Sequence, residues 1–250
     1  MTELLPSKLG TKQHWDEVYS SELANFEDIG DEGEVWFGED SVEKMVDWVL
    51  ENLPPSGASP FILEIGAGNG NLLFALYQVG YAPARMHGVD YSLDAVHLAQ
   101  AIAMTRGDGE ATEDENKESS ARSISFSMCD FLTESVAPLK GMAVVETGSP
   151  PLWDLVLDKG TFDAIALAEK DSTGKAPADA YPSRVARVVK PGGFFLITSC
   201  NFTEEELRIK FANEETGLVY HSRIQFPTFS FGGKRGNVYS SVAFQKPVRG

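Results

Sequence analysis

The run FILEIGAGNG, Phe61 to Gly70, constrains the fold of this chain more than any other ten residues. Phe61 to Ile65 read as a short buried strand, and NGNLLFALYQVGY reads as the helix that follows. Between them, Gly66, Gly68 and Gly70 let the backbone turn tightly and come close to a ligand. ARMHGVDYS is then a second strand, ending on Asp90, and Ser92 opens the next helix, SLDAVHLAQAIAMTR. Strand, glycine turn, helix, strand and acid together spell a parallel sheet with crossover helices. Such sheets hold ligands outside the carboxyl ends of their strands. The glycine spacing is GxGxG, not the full dinucleotide GxGxxG, and a glycine fingerprint alone is weak evidence. Its context makes it strong here.

The rest of the chain extends the rhythm. SVEKMVDWVLENL has apolar residues at helical spacing, with Ser41 as its expected cap and Lys44 as an unhelpful charge in its first turn. PPSGASP stops it. SISFSMCDF is a third strand ending near Asp130, LWDLVLD a fourth, and PGGFFLITSC a fifth, with Gly192 and Gly193 turning into it. VAPLKGMAVVETGSPP is a long connection. ADAYPSRVARVV is a helix with Pro182 in its first turns. FTEEELRIKFANE is a helix with a capping box, Thr203 and Glu206. LVYHSRIQFPTF and NVYSSVAFQK form an antiparallel pair around the Gly-rich loop SFGGKRG. Residues 1–40 read as an N-terminal arm or lid with spaced aromatic residues (Trp15, Tyr19, Phe26, Trp36, Phe37), and 41–250 as the domain on which it packs. Residues 107–120, GDGEATEDENKESS, are an acidic surface loop by composition.

Several carboxylates stand where chemistry is expected. Asp90, at the end of strand two, can accept from two ribose hydroxyls. Asp130, at the end of strand three, can accept from a purine amine, with Phe131 beside it; a plain turn acid is the other reading. Glu64 lies inside strand one, where a buried carboxylate is costly without a partner. It is expected to hold amides of the glycine loop or a cationic ligand group. Asp158 closes strand four, after Asp154 has opened it, and Asp163 is read as a cap or brace for the turn between. His87 is read as structural and His97 as a helix residue.

No GxxxxGK[ST] motif supports triphosphate hydrolysis, and no second nucleotide half supports NAD. Two cysteines and four scattered histidines suggest neither a disulfide framework nor a metal site. The net charge of -16 argues against general affinity for a phosphate backbone and allows a basic protein partner. No secretory leader is expected, and no run of apolar residues is long enough for a membrane span. The expected location is the cytoplasm, with the nucleus left open.

With these motifs in hand, LEIGAGNG (63–70), GVDYS (88–92), MCDF (128–131) and LVLDKGTFDAI (155–165) resemble those of the class I S-adenosylmethionine-dependent methyltransferases. That class implies a Rossmann-like α/β fold with a seven-stranded sheet, order 3-2-1-4-5-7-6, strand seven antiparallel. KQHWDEVYSSELANFEDIGDEGEVWFGED, DKGTFDAIAL and FPTFSFGGKRGNVYSSVAF are similar, more narrowly, to the protein-lysine methyltransferases of elongation factor 1-alpha, in their small cytoplasmic fungal and animal branch. The resemblance implies S-adenosylmethionine as cofactor and a basic protein, elongation factor 1-alpha, as substrate, with no nucleic acid, no membrane and a monomeric enzyme. It implies a cofactor loop of Glu64, Gly66, Ala67, Gly68 and Asn69, and a ribose contact at Asp90 beside Tyr91. Asp130 and Phe131 would face the adenine, and Trp36 and Phe37 would close the arm over the cofactor. Asp158, Lys159, Gly160 and Thr161 would border the donor methyl and the incoming lysine, with Asp158 acting through its carboxylate or its backbone. An N6-adenine enzyme usually has [DN]PP[YF] where this chain has DKGT. Small-molecule methylation and a non-catalytic methyltransferase-like subunit are the alternatives.

Overall fold

The computed structural model describes residues 4–55, 59–109, 120–143, 149–226, 229–231, 234–236 and 239–248. One mixed sheet holds β1 (Ile62–Ile65), β2 (Met86–Asp90), β3 (Ser125–Met128), β4 (Trp153–Lys159), β5 (Val189–Ser199), β6 (Val219–Ile224) and β9 (Ser240–Gln245). Their order is β3-β2-β1-β4-β5-β9-β6, with β9 antiparallel to both of its neighbours. Counting only these seven, this is the expected 3-2-1-4-5-7-6 arrangement. A separate two-stranded ribbon, β7 (Phe229–Phe231) and β8 (Lys234–Gly236), occupies the Gly-rich stretch between β6 and β9.

Seven helices accompany the sheet among the described residues: α1 (Lys12–Ile29), α2 (Gly38–Asn52), α3 (Asn71–Gln78), α4 (Leu93–Gly109), α5 (Thr161–Ala166), α6 (Tyr181–Val188) and α7 (Glu204–Phe211). Every residue of β1 and β2 is buried, as expected for parallel strands covered on both faces. The pleat sorts side chains between two cores. Ile62, Leu155, Leu157, Phe194 and Leu196 join Met45, Val49 and Phe74 on one face. Leu63, Val156, Phe195 and Ile197 join Tyr181, Val185 and Phe211 on the other.

Some boundaries differ from the sequence expectation. α2 begins at Gly38, not after Ser41; Phe37 is its cap residue, and the Ser41 hydroxyl donates back to Gly38 O at 2.8 Å. The first turn therefore carries Glu39 and Asp40, which suit the positive end of the helix dipole, and Lys44 falls beyond it. α4 continues to Gly109, so the start of the acidic segment is helical; residues 110–119 lie outside the described residues. β5 runs on through Pro191, Gly192 and Gly193, and its register with β4 shifts there, so the glycines make an irregularity inside the strand. α7 has the expected Thr203–Glu206 capping box. No helix of the described residues is long and apolar enough to cross a membrane.

Candidate active site

The glycine turn is built by backbone conformation. Gly66, Gly68 and Gly70 have φ of 69°, 53° and 79°, a region that L side chains adopt only with strain. Val89 O accepts from Gly66 N at 2.8 Å and Ala67 N at 3.0 Å. Asp90 finishes the work: Oδ2 accepts from Gly68 N at 3.0 Å and Oδ1 from Ser92 N at 2.9 Å. One carboxylate thus ties the glycine turn to the start of α4. Burial pushes the Asp90 carboxyl up to about 6, with these amide bonds working against the rise. Each oxygen retains a lone pair for a ligand hydroxyl.

The first forty residues close over this turn. Thr11 caps α1. Trp15 is buried, donates from Nε1 to Leu9 O at 2.7 Å and packs on Trp36 with ring centroids 4.6 Å apart. A Cβ on Gly68 would collide with the Tyr19 hydroxyl, and one on Gly10 with the backbone at Leu167. Asn69 Nδ2 donates to Glu32 O at 2.9 Å, and the Glu32 carboxylate pairs with Arg106 of α4. Lys12 Nζ lies 5.3 Å from the centroid of the Tyr91 ring.

At the end of β4 the pleat decides which side chain reaches the site. Asp158 shares the face of Val156, so its carboxylate turns toward α6. It is fully buried and accepts from Thr161 N, from Phe162 N and from the Tyr181 hydroxyl. The side chain caps α5 and does not line the cavity described below, contrary to its expected contact with the reacting groups. Burial raises its carboxyl to about 7. Lys159 shares the opposite face with Glu64, and its Nζ donates to Trp36 O at 3.0 Å. Gly160, at φ 90°, reverses the chain, and Thr161 Oγ1 donates to Ile65 O at 2.7 Å. Asp163 does not brace this turn; it accepts from Ser199 Oγ, Cys200 N and Asn201 N and so braces the end of β5.

Glu64 is 2% exposed and makes no hydrogen bond to the glycine loop, since Val89 O and Asp90 hold those amides. Its Oε2 is buried without a partner. Burial raises its carboxyl, and the charge of Lys159 opposes the rise. Asp130 Oδ1 accepts from Leu132 N at 3.0 Å and Oδ2 from Thr133 Oγ1 at 2.8 Å, which is the turn-acid geometry. The Phe131 ring stands edge-on to Tyr181.

A cavity of about 350 Å3 opens at this edge of the sheet, within the usual range for small-ligand sites. Trp36, Gly66, Ala67, Gly68, Asn69, Asp90, Tyr91, Asp130, Phe131, Lys159, Gly160 and Thr161 all line it. Phe37, Glu64 and Asp158 do not. Gly10, Lys12, Trp15 and Tyr19 also line it and were missing from the expected site. The spaced rings of the arm were the available signal for Trp15 and Tyr19; Gly10 and Lys12 carried none. An acid with spare lone pairs and aromatic walls suit an amphipathic ligand carrying hydroxyls.

Comparison with known proteins fits this geometry. The methyltransferase-domain family profile matches residues 61–243. The protein-lysine N-methyltransferase efm4 of Schizosaccharomyces pombe is 39% identical, with 98% of this chain and 97% of that protein aligned. The chain belongs to this methyltransferase family. Human EEF1A lysine methyltransferase 2 is 37% identical over 97% of this chain and 88% of its own length. EFM4 of Saccharomyces cerevisiae is 39% identical, covering 98% and 97%. Among solved structures, the N-methyltransferase NodS of Bradyrhizobium japonicum aligns at TM-score 0.55 and 17% identity, over 93% of this chain and 98% of its own. The [4+2]-cyclase SpnF aligns at 0.59 and 14%, over 98% of both. These two likenesses speak for the fold alone, and SpnF shows that the fold does not dictate the reaction. In this family the chain is an S-adenosylmethionine-dependent methyltransferase.

Proposed function

We propose that the enzyme methylates a lysine side chain of translation elongation factor 1-alpha. One observation carries the reading: the likeness to lysine methyltransferases spans 97% to 98% of the chain, so it includes both the arm and the DKGT turn that wall the cavity. When bound, S-adenosylmethionine supplies an electrophilic methyl group on a sulfonium. Asp90 accepts from the ribose hydroxyls while holding the glycine turn. Phe131 and the Asp130 turn face the adenine. Trp36, pinned by Lys159, keeps the arm over the site and water out of it. Gly160 and Thr161 border the point where the lysine amine arrives. That amine must be neutral to attack, and a free lysine has a pKa of about 10.4, so desolvation on entry has to lower it. Asp158 serves this step by shaping the turn, with its carboxylate committed to α5.

We take the enzyme to act as a monomer in the cytoplasm, where translation proceeds, and on protein in preference to nucleic acid. The net charge of -16 supports the choice of a basic partner. The test is methyl-labelled donor added with the enzyme to extract from cells lacking it. Label in one lysine of elongation factor 1-alpha is the expected result; label confined to nucleic acid or metabolites would refute the reading.

A further inference from the structure

Phe37 is the one non-glycine residue with left-handed backbone among the described residues, at φ 65°. Such strain persists where the surroundings demand it, and it gathers at functional sites. Here it carries the ring onto the turn that ends β4: a Cβ on Gly160 would lie 2.9 Å from Phe37 Cζ. Gly160 lines the cavity and Phe37 does not, so the ring stands just outside, at the β4 edge. Tyr239, immediately before β9, packs on it with centroids 4.9 Å apart and planes inclined by 31°. Phe226 meets Tyr239 edge-on at 5.8 Å. Phe37 and Tyr239 both remain partly exposed. Lys44 Nζ lies 5.9 Å from the Phe226 ring, so this cluster already carries one alkylammonium group. Glu39 and Asp40, both exposed, follow Phe37 after Gly38.

We propose that Phe37 and Tyr239 form the subsite for the target lysine side chain. Its methylene stem lies along the two rings, its nitrogen is directed to the Gly160 turn, and Glu39 draws in the basic segment around it. Aromatic faces accept both an ammonium and its methylated forms. The occupant is a lysine of a basic polypeptide because rings and acids occur together beside the cavity on a chain of net charge -16. This subsite rests on the lysine-methyltransferase reading and adds to it where the lysine enters.

The test uses the full-length enzyme, recombinant elongation factor 1-alpha and labelled donor. Tyr239→Ala should raise KM for the protein about tenfold, between the sizes of an exposed and a desolvated cation–π contact, with donor affinity by calorimetry unchanged. Tyr239→Phe should restore KM, because it keeps the ring. Phe37→Leu should raise KM as well, because it keeps bulk without the π face. An active wild-type enzyme whose Tyr239→Ala variant has ordinary KM would overturn the subsite alone. Equal loss of donor affinity and KM would also overturn it, showing the rings to be a brace. A wild-type enzyme that labels no lysine would overturn the lysine-methyltransferase reading and the subsite together.

Discussion

Asp90 ends β2 and Asp158 stands one residue before the end of β4, the two strands that flank β1; they are 6% and 0% exposed, and their surroundings assign them different work. Asp90 faces the cavity with lone pairs to spare. Asp90→Ala should weaken donor binding by tenfold or more, since charge-assisted hydrogen bonds are worth about 1.5–3 kcal/mol; calorimetry reads this directly. Its carboxyl stands at about 6, above the ordinary 3.8, so the folded chain holds this proton more tightly than the unfolded one. Folding stability from this group is therefore greatest below about pH 4 and falls as pH rises through about 6. Donor binding has the opposite sign: the ionised form is the better acceptor, so affinity should decline as pH falls through about 6, and Asp90→Asn should flatten that profile. Asp158 gives a stability prediction. Asp158→Ala strands two amides and the Tyr181 hydroxyl in a dry core and should cost about 3 kcal/mol or more in denaturant unfolding. Asp158→Asn keeps an acceptor for the amides and should keep transfer within about tenfold of wild type. Its place at a strand end was readable from the sequence. Its direction was not, because the alternation of Leu155 and Leu157 against Val156 assigns a face only once the two cores are known.

Among the elements, the parallel strands were the most legible, because continuous apolar runs bounded by glycine and acid leave little choice. The start of α2 was not. Ser41 is a good cap by type, yet Phe37 and Gly38 both adopt positive φ and open the helix four residues earlier. Tertiary contact of the Phe37 ring with the Gly160 turn drives that choice, and no local propensity encodes it. The arm was visible as spaced rings, but its 18-residue helix and its tie from Lys159 to Trp36 O depend on contacts distant in sequence. Trp15 holds this element together through Leu9 and Trp36. Trp15→Ala should speed donor dissociation at least tenfold in stopped-flow measurements. It should lower the unfolding midpoint only modestly, since the two sheet cores lie elsewhere.

At the scale of the whole molecule, the alternation of strand and helix was enough to anticipate a parallel sheet with crossovers, the family resemblance to anticipate its order, and the glycine turn to anticipate which edge binds. Nothing in the composition identifies the substrate, yet the acidic balance makes a physical demand on it. A basic protein substrate is steered by charge, so kcat/KM should fall several-fold between 50 and 300 mM salt, roughly as Debye screening shortens from about 14 to 6 Å. Donor affinity, set by short-range contacts within the cavity, should change far less across the same range. In the proposed function this geometry delivers methyl groups to a lysine of elongation factor 1-alpha. Purified enzyme, purified elongation factor 1-alpha and S-adenosylmethionine, followed by mass mapping of the peptides, test it most directly. Mass gains in steps of one methyl group, about 14 Da, are expected at a single lysine, abolished by Asp90→Ala. An unmodified elongation factor, in a reaction where the enzyme demonstrably binds its donor, would contradict it.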